Sequence, residues 1–185
     1  MRQSRGEHFA HTPSRRGILR LGAIAGATVL SSRYALARQC RSLSLYAVHT
    51  GERLKVDYCV DGRYEPGALR AIARLMRDVH TDAVHHIDTT LLDALSRLGR
   101  ILGTREPLHV TSGYRTHETN ERLRRHDHDI AANSYHVAGK AADVFVPGRN
   151  LASVRHVARA LEVGGVGYYP RSGFVHVDTG PIRTW

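Results

Sequence analysis

Two short apolar segments of this chain each carry an ionisable side chain at their centre, and this constrains the fold more than any other feature. Residues 141–146 read AADVFV, with Asp143 among small and β-branched neighbours, and residues 174–178 read FVHVD, with His176 between two valines. Both have the length and composition of strands, and Pro147-Gly148 and Thr179-Gly180-Pro181 stop them. A carboxylate inside such a strand is costly to bury unless it is paired or bound to a metal. Period-two geometry sends His176 and Asp178 to one face and Val175 and Val177 to the other.

The rest of the pattern is mixed. Residues 43–49 and 54–60 alternate around Thr50-Gly51-Glu52 and predict a β-hairpin. Leu69, Ile72, Leu75, Met76 and Val79 recur at helical spacing and predict one buried helix face. A second helix is expected over 89–102, with Leu91, Leu92, Leu95, Leu98 and Leu102 inward and Gly103 capping its end. A short strand follows at 107–112, a helix at 119–125 and a surface loop at 126–133. A further helix is expected over 151–162 and a glycine-broken strand over 164–169. Helices early and strands late, without regular βαβ alternation, predict an α+β fold: a mainly antiparallel sheet with flanking helices.

The first 37 residues stand apart. Ser14-Arg15-Arg16-Gly17-Ile18-Leu19-Arg20 precedes the apolar run LGAIAGATVL, and Ala35-Leu36-Ala37 is a small-x-small cleavage site. That is the pattern of a twin-arginine signal peptide, so 1–37 is expected to engage the twin-arginine translocase and 38–185 to be the mature domain in the periplasm. The apolar run is too short to cross a ~30 Å hydrocarbon core as a helix, so no stable membrane anchor is expected. Six arginines and one acid in this leader supply half of the formal charge of +10. The remaining excess suits an anionic polymer, but charge does not choose between peptidoglycan, nucleic acid and acidic lipid. No nucleic-acid motif is present, and none is expected as a partner. Cys40 and Cys59 lie near the open ends of the hairpin, where a disulfide and two free thiols are equally compatible with the spacing.

His136 lies seven residues before Asp143. Two imidazoles and one carboxylate, with a fourth position for water, describe a catalytic zinc site made of His136, Asp143 and His176. Each residue alone also has a structural reading, as a hydrogen-bonded strand histidine or an ion-paired aspartate. The segment Ser134-Tyr135-His136-Val137-Ala138-Gly139-Lys140-Ala141-Ala142-Asp143 fits S-x-H-x-x-G-x-A-x-D, and Ser112-Gly113-Tyr114-Arg115 and Val175-His176-Val177-Asp178 lie on either side of it. These elements resemble the D-alanyl-D-alanine metallopeptidases, which share a fold with the hedgehog signalling domain. SLYAVHTGE, GGVGYYP, SGFVHVDTG and the closing tryptophan extend the resemblance over nearly all of 42–185, toward a twin-arginine-exported branch of murein endopeptidases.

The resemblance implies a hedgehog/DD-peptidase-like fold and zinc on His136, Asp143 and His176. It also implies a peptidoglycan peptide as substrate and Arg115 as the group that meets the substrate carbonyl or carboxylate. A guanidinium there can stabilise oxyanion charge that develops only as water attacks. Ser134 is expected near the substrate, supporting the loop or His136. One departure is that several relatives carry an acidic general base three residues before the last histidine, where this chain has Gly173. Asp178 is the nearest carboxylate on the proper strand face, as base or as an orienting partner of a ligand histidine. Tyr168 and His117 are further candidates for the base. An endopeptidase cutting cross-links is the leading expectation, with a stem-peptide carboxypeptidase or a non-catalytic zinc-containing peptidoglycan-binding module as alternatives.

Overall fold

The predicted hairpin forms as β1 (Cys40–Ala47) and β2 (Arg53–Val60), paired antiparallel with Leu45 opposite Leu54. The structure is a computed structural model describing residues 39–126 and 130–185; the expected signal at 1–37 lies outside the described residues. A two-residue strand, β3 (Arg63–Tyr64), continues along β2, and α1 (Pro66–Leu75) begins on a proline, whose missing N–H is harmless in a first helical turn. α2 (Thr89–Ile101) starts where the Asp88 side chain accepts the Thr90 N–H at 2.9 Å. β4 (Leu108–Ser112) leads to α3 (His117–Arg124), and β5 (Ala141–Phe145) to α4 (Leu151–Ala160), which Asn150 caps at the Ala152 N–H. β6 (Gly165–Tyr169), β7 (Phe174–Asp178) and β8 (Arg183–Thr184) complete the chain.

Among the described residues, eight strands join one sheet in the order β3-β2-β1-β4-β5-β7-β6-β8. Only β1 with β4 and β6 with β8 pair in parallel, so the sheet is mainly antiparallel, as the pattern predicted. Helices α1, α2 and α4 pack on one face of it. There Ile72, Met76, Leu91, Leu92, Leu95 and Leu98 meet Ala142, Val144, Val175 and Val177 in one apolar core. No helix among the described residues is long and apolar enough to cross a membrane.

One expectation is corrected, and one open alternative is decided. Val79 is 44% exposed rather than part of the buried helix face, because the helix ends at Leu75 and the Met76 carbonyl instead accepts the Tyr114 N–H at 2.8 Å. The cysteines are both free. Arg41 stands opposite Cys59 and donates to its sulfur at 2.7 Å, while Cys40 stands opposite Val60. Neighbouring residues of a strand point to opposite faces, so the two thiols leave different sides of the hairpin.

Candidate metal centre

One row of residues crosses the middle of the sheet. Ser112 of β4 lies opposite Asp143 of β5, Asp143 opposite His176 of β7, and His176 opposite Gly167 of β6. Since Ala142, Val144, Val175 and Val177 face the helices, strand alternation places Asp143 and His176 on the reverse face. His136 joins them from the turn that precedes β5. That turn is closed by the Gly139 N–H on the His136 carbonyl at 3.1 Å and by the Lys140 N–H on the Tyr135 carbonyl at 2.9 Å. Gly139 has φ +66°, and a Cβ there would sit 2.1 Å from the His86 carbonyl oxygen, so no other residue fits without moving the chain.

The three side chains converge and are buried. His176 Nδ1 lies 2.8 Å from Asp143 Oδ1 and 3.2 Å from His136 Nε2, and His136 Nε2 lies 3.3 Å from Asp143 Oδ1. One atom from each falls within 4.8 Å of the others, a spacing that a single metal ion can bridge. The nitrogens turned away from the cluster are occupied. His136 Nδ1 donates to the Gly113 carbonyl at 2.6 Å, and His176 Nε2 donates to Asp178 Oδ2 at 3.1 Å. Both tautomers are therefore set with a lone pair toward the cluster, as metal-ligating histidines require. The donor set of two imidazoles and a carboxylate fits zinc.

Electrostatics keep the centre poised. Burial raises the Asp143 carboxyl, but the two histidines outweigh it and hold the group far below the usual carboxylate range. Burial dominates at His136 and lowers it from 6.5, against the pull of Asp143. At His176 burial also works downward, yet bonds to Asp143 and Asp178 overcome it and the net direction is upward.

Arg115 reaches the cluster from the segment after β4. Its Nη2 donates to Asp143 Oδ2 at 2.7 Å and its Nε to Ser112 Oγ at 2.7 Å, while its own backbone N–H is bound by the His136 carbonyl. Ser134 Oγ accepts the His136 N–H at 3.3 Å, holding the ligand turn. Both Arg115 and Ser134 line an open cavity of about 740 Å³ with His136, Asp143 and His176.

Asp178 is different. It is completely buried, does not line the cavity, and has both oxygens engaged. Oδ1 accepts the Gly165 and Gly180 N–H groups at 3.0 and 2.7 Å, and Oδ2 accepts from Arg183 Nη2 at 2.8 Å as well as from His176. Burial raises its pKa, but these donors bring the net value down to about 2. Of the two roles left open by the sequence, this geometry suits the orienting one. Tyr168 and His117 also lie outside the cavity; strand alternation gives that position to Tyr169, while Tyr168 faces Arg155.

Two residues that strand patterning did not assign to the site belong to it. Arg183 and Trp185 line the cavity, and the Trp185 ring lies 5.4 Å from that of His176. No periodicity marks them, since β8 is only two residues long.

The chain is similar to known proteins over most of its length. The chain is 41% identical over 177 residues to peptidoglycan L,D-endopeptidase MepK of Escherichia coli K12, covering 93% of this chain and 97% of that protein. The Shigella flexneri protein of the same name gives the same figures. A Haemophilus influenzae protein named "Probable peptidoglycan L,D-endopeptidase MepK" is 42% identical over 146 residues, 78% of each chain. The family model described as peptidoglycan L,D-endopeptidase MepK matches residues 35–185, and the chain belongs to that peptidase family.

Proposed function

We propose that the protein is a zinc-dependent murein endopeptidase that hydrolyses peptide cross-links of peptidoglycan in the periplasm. The observation that carries this reading is the buried His136–Asp143–His176 cluster opening on a cavity beside Arg115. The relatives' names specify an L,D bond, so that cross-link is the first substrate to test. The mainly antiparallel sheet with its ligands on one face also supports the hedgehog/DD-peptidase-like fold that the sequence motifs imply.

His136 Nε2, His176 Nδ1 and an Asp143 oxygen would hold the zinc, which supplies Lewis acidity toward a peptide carbonyl and lowers the pKa of water. Arg115, braced by Ser112 and Asp143, donates to the carbonyl oxygen and does so more strongly as negative charge grows there. Ser134 keeps the ligand turn in place at the cavity wall. Asp178 acts as a positioning residue, accepting the Nε2 proton of His176 so that Nδ1 faces the other two ligands.

Incubating the purified 38–185 domain with L,D- and D,D-cross-linked muropeptide dimers, with and without chelator, tests the reading. Conversion of dimers to monomers, abolished by chelator and restored by zinc, is the expected result. Binding to sacculi without cleavage would favour the non-catalytic module instead, and release of a terminal residue alone would favour a carboxypeptidase. Residues 1–37 are read as the twin-arginine signal. Replacing Arg15 and Arg16 by lysine is expected to leave the precursor in the cytoplasm, and normal periplasmic accumulation of that variant would exclude the route.

A further inference from the structure

The strand β8 pairs with the sheet edge at two register positions, Gly165 opposite Arg183 and Val166 opposite Thr184, and Trp185 adds backbone bonds to Val166 and Tyr168. Its side chains nevertheless reach the middle of the site. Arg183 Nη2 donates at 2.8 Å to Asp178 Oδ2, the same oxygen that accepts from His176 Nε2 at 3.1 Å, and Nη1 lies 3.5 Å from Oδ1. The guanidinium carbon lies 5.2 Å from the Tyr135 ring centre and 4.9 Å from that of Trp185. Trp185 is fixed in turn by its indole N–H on the Tyr169 hydroxyl at 2.7 Å.

The strand beneath has been cleared for this arrangement. A Cβ on Gly165 would lie 2.5 Å from Asp178 Oδ2 and 2.9 Å from Arg183 Nη1. One on Gly167 would lie 2.8 Å from both the Trp185 and Tyr169 rings. Two glycines on one short strand thus make room for one ion pair and the ring that covers it.

The geometry points to Arg183 as a positioning residue for the metal centre, acting through Asp178 to fix the ring of His176. This rests on the metal site proposed above. Apart from the two backbone N–H groups and His176 itself, Arg183 is the donor that holds Asp178, and it supplies the formal positive charge that a buried carboxylate requires. Its fork contacts both oxygens, which restrains rotation of the carboxylate about its own axis. A carboxylate free to rotate would no longer define the plane of the imidazole it receives, and Nδ1 would lose its aim at the cluster. The segment 181–185 is then part of the metal centre rather than a trailing end.

The test compares zinc-loaded wild type with Arg183→Met and Arg183→Lys. Zinc affinity is read by competition with a chromophoric chelator, fold by circular dichroism, and the His176 ring by the nitrogen-bound proton resonance of Nε2. Wild type must first take up zinc; if it does not, the metal site itself is overturned, and this inference with it. Given uptake, Arg183→Met is expected to weaken zinc binding by ~10–100-fold, the usual cost of losing an orienting partner, with an unchanged circular dichroism spectrum. The Nε2 proton should broaden into exchange with water, and Arg183→Lys should recover part of both losses. Wild-type affinity and a sharp resonance in Arg183→Met, with only KM raised, would overturn the proposal and make Arg183 a substrate-binding group. If Arg183→Met does not fold, Arg183→Gln, which removes the charge but keeps a polar side chain of similar length, takes its place. A several-fold loss of affinity there supports the role, and no loss overturns it.

Discussion

Substituting alanine for His136 is expected to leave a folded protein that holds no zinc and cuts no cross-link. His136 is 2% exposed and offers Nε2 to the cluster, with Nδ1 anchored on the Gly113 carbonyl. Alanine leaves a two-residue set, His176 and Asp143, which cannot close a zinc site with useful affinity. Turnover should fall by ~10⁴–10⁶-fold, the range seen when one member of an interdependent catalytic unit is removed. Elemental analysis beside a muropeptide assay checks this. Wild-type turnover from a zinc-free variant would end the metallopeptidase reading.

Arg115→Ala is expected to act on turnover while zinc stays bound. The side chain lines the cavity and is braced on two sides, so its donors are fixed before substrate arrives. Loss of one such preorganised donor costs ~10²–10³-fold in kcat. Arg115→Lys keeps the charge but not the planar fork, so it should restore only part of that loss. The measurement is kcat and KM together with zinc content. A fall in zinc content that accounts for the whole effect would show that Arg115 serves only to hold Asp143, and a rise in KM alone would make it a ground-state contact.

What the sequence made legible follows from which signals are periodic. His176 and Asp178 could be placed on one face because they alternate with Val175 and Val177, whereas Asp143 stood out as a carboxylate in an apolar run and became a neighbour of His176 only through the register of β5 and β7. His136 lies in a turn, where no period exists; it entered through its distance from Asp143 and the motif around it. The orienting groups were less accessible. The Gly113 carbonyl is a backbone atom, which composition cannot flag, and Arg183 acts from a strand too short to show alternation. Asp178 was found, but its role depended on knowing that Gly165, Gly180 and Arg183 surround it. Val79 went astray because its helical spacing runs on after Tyr114 has captured the Met76 carbonyl and ended the helix.

The alternation along β7 has a consequence for how errors in folding are penalised. A slip of one residue against β5 would send Val175 and Val177 into the cleft and His176 and Asp178 among the leucines of the helices. Such a chain would expose apolar surface and strand two ionisable groups in the same step. The residues proposed to bind the ion would therefore also act as a check on pairing, independent of whether any ion is present. Molecules that reach the correct register have these side chains aligned already, so capturing a metal would need no further rearrangement of the strands.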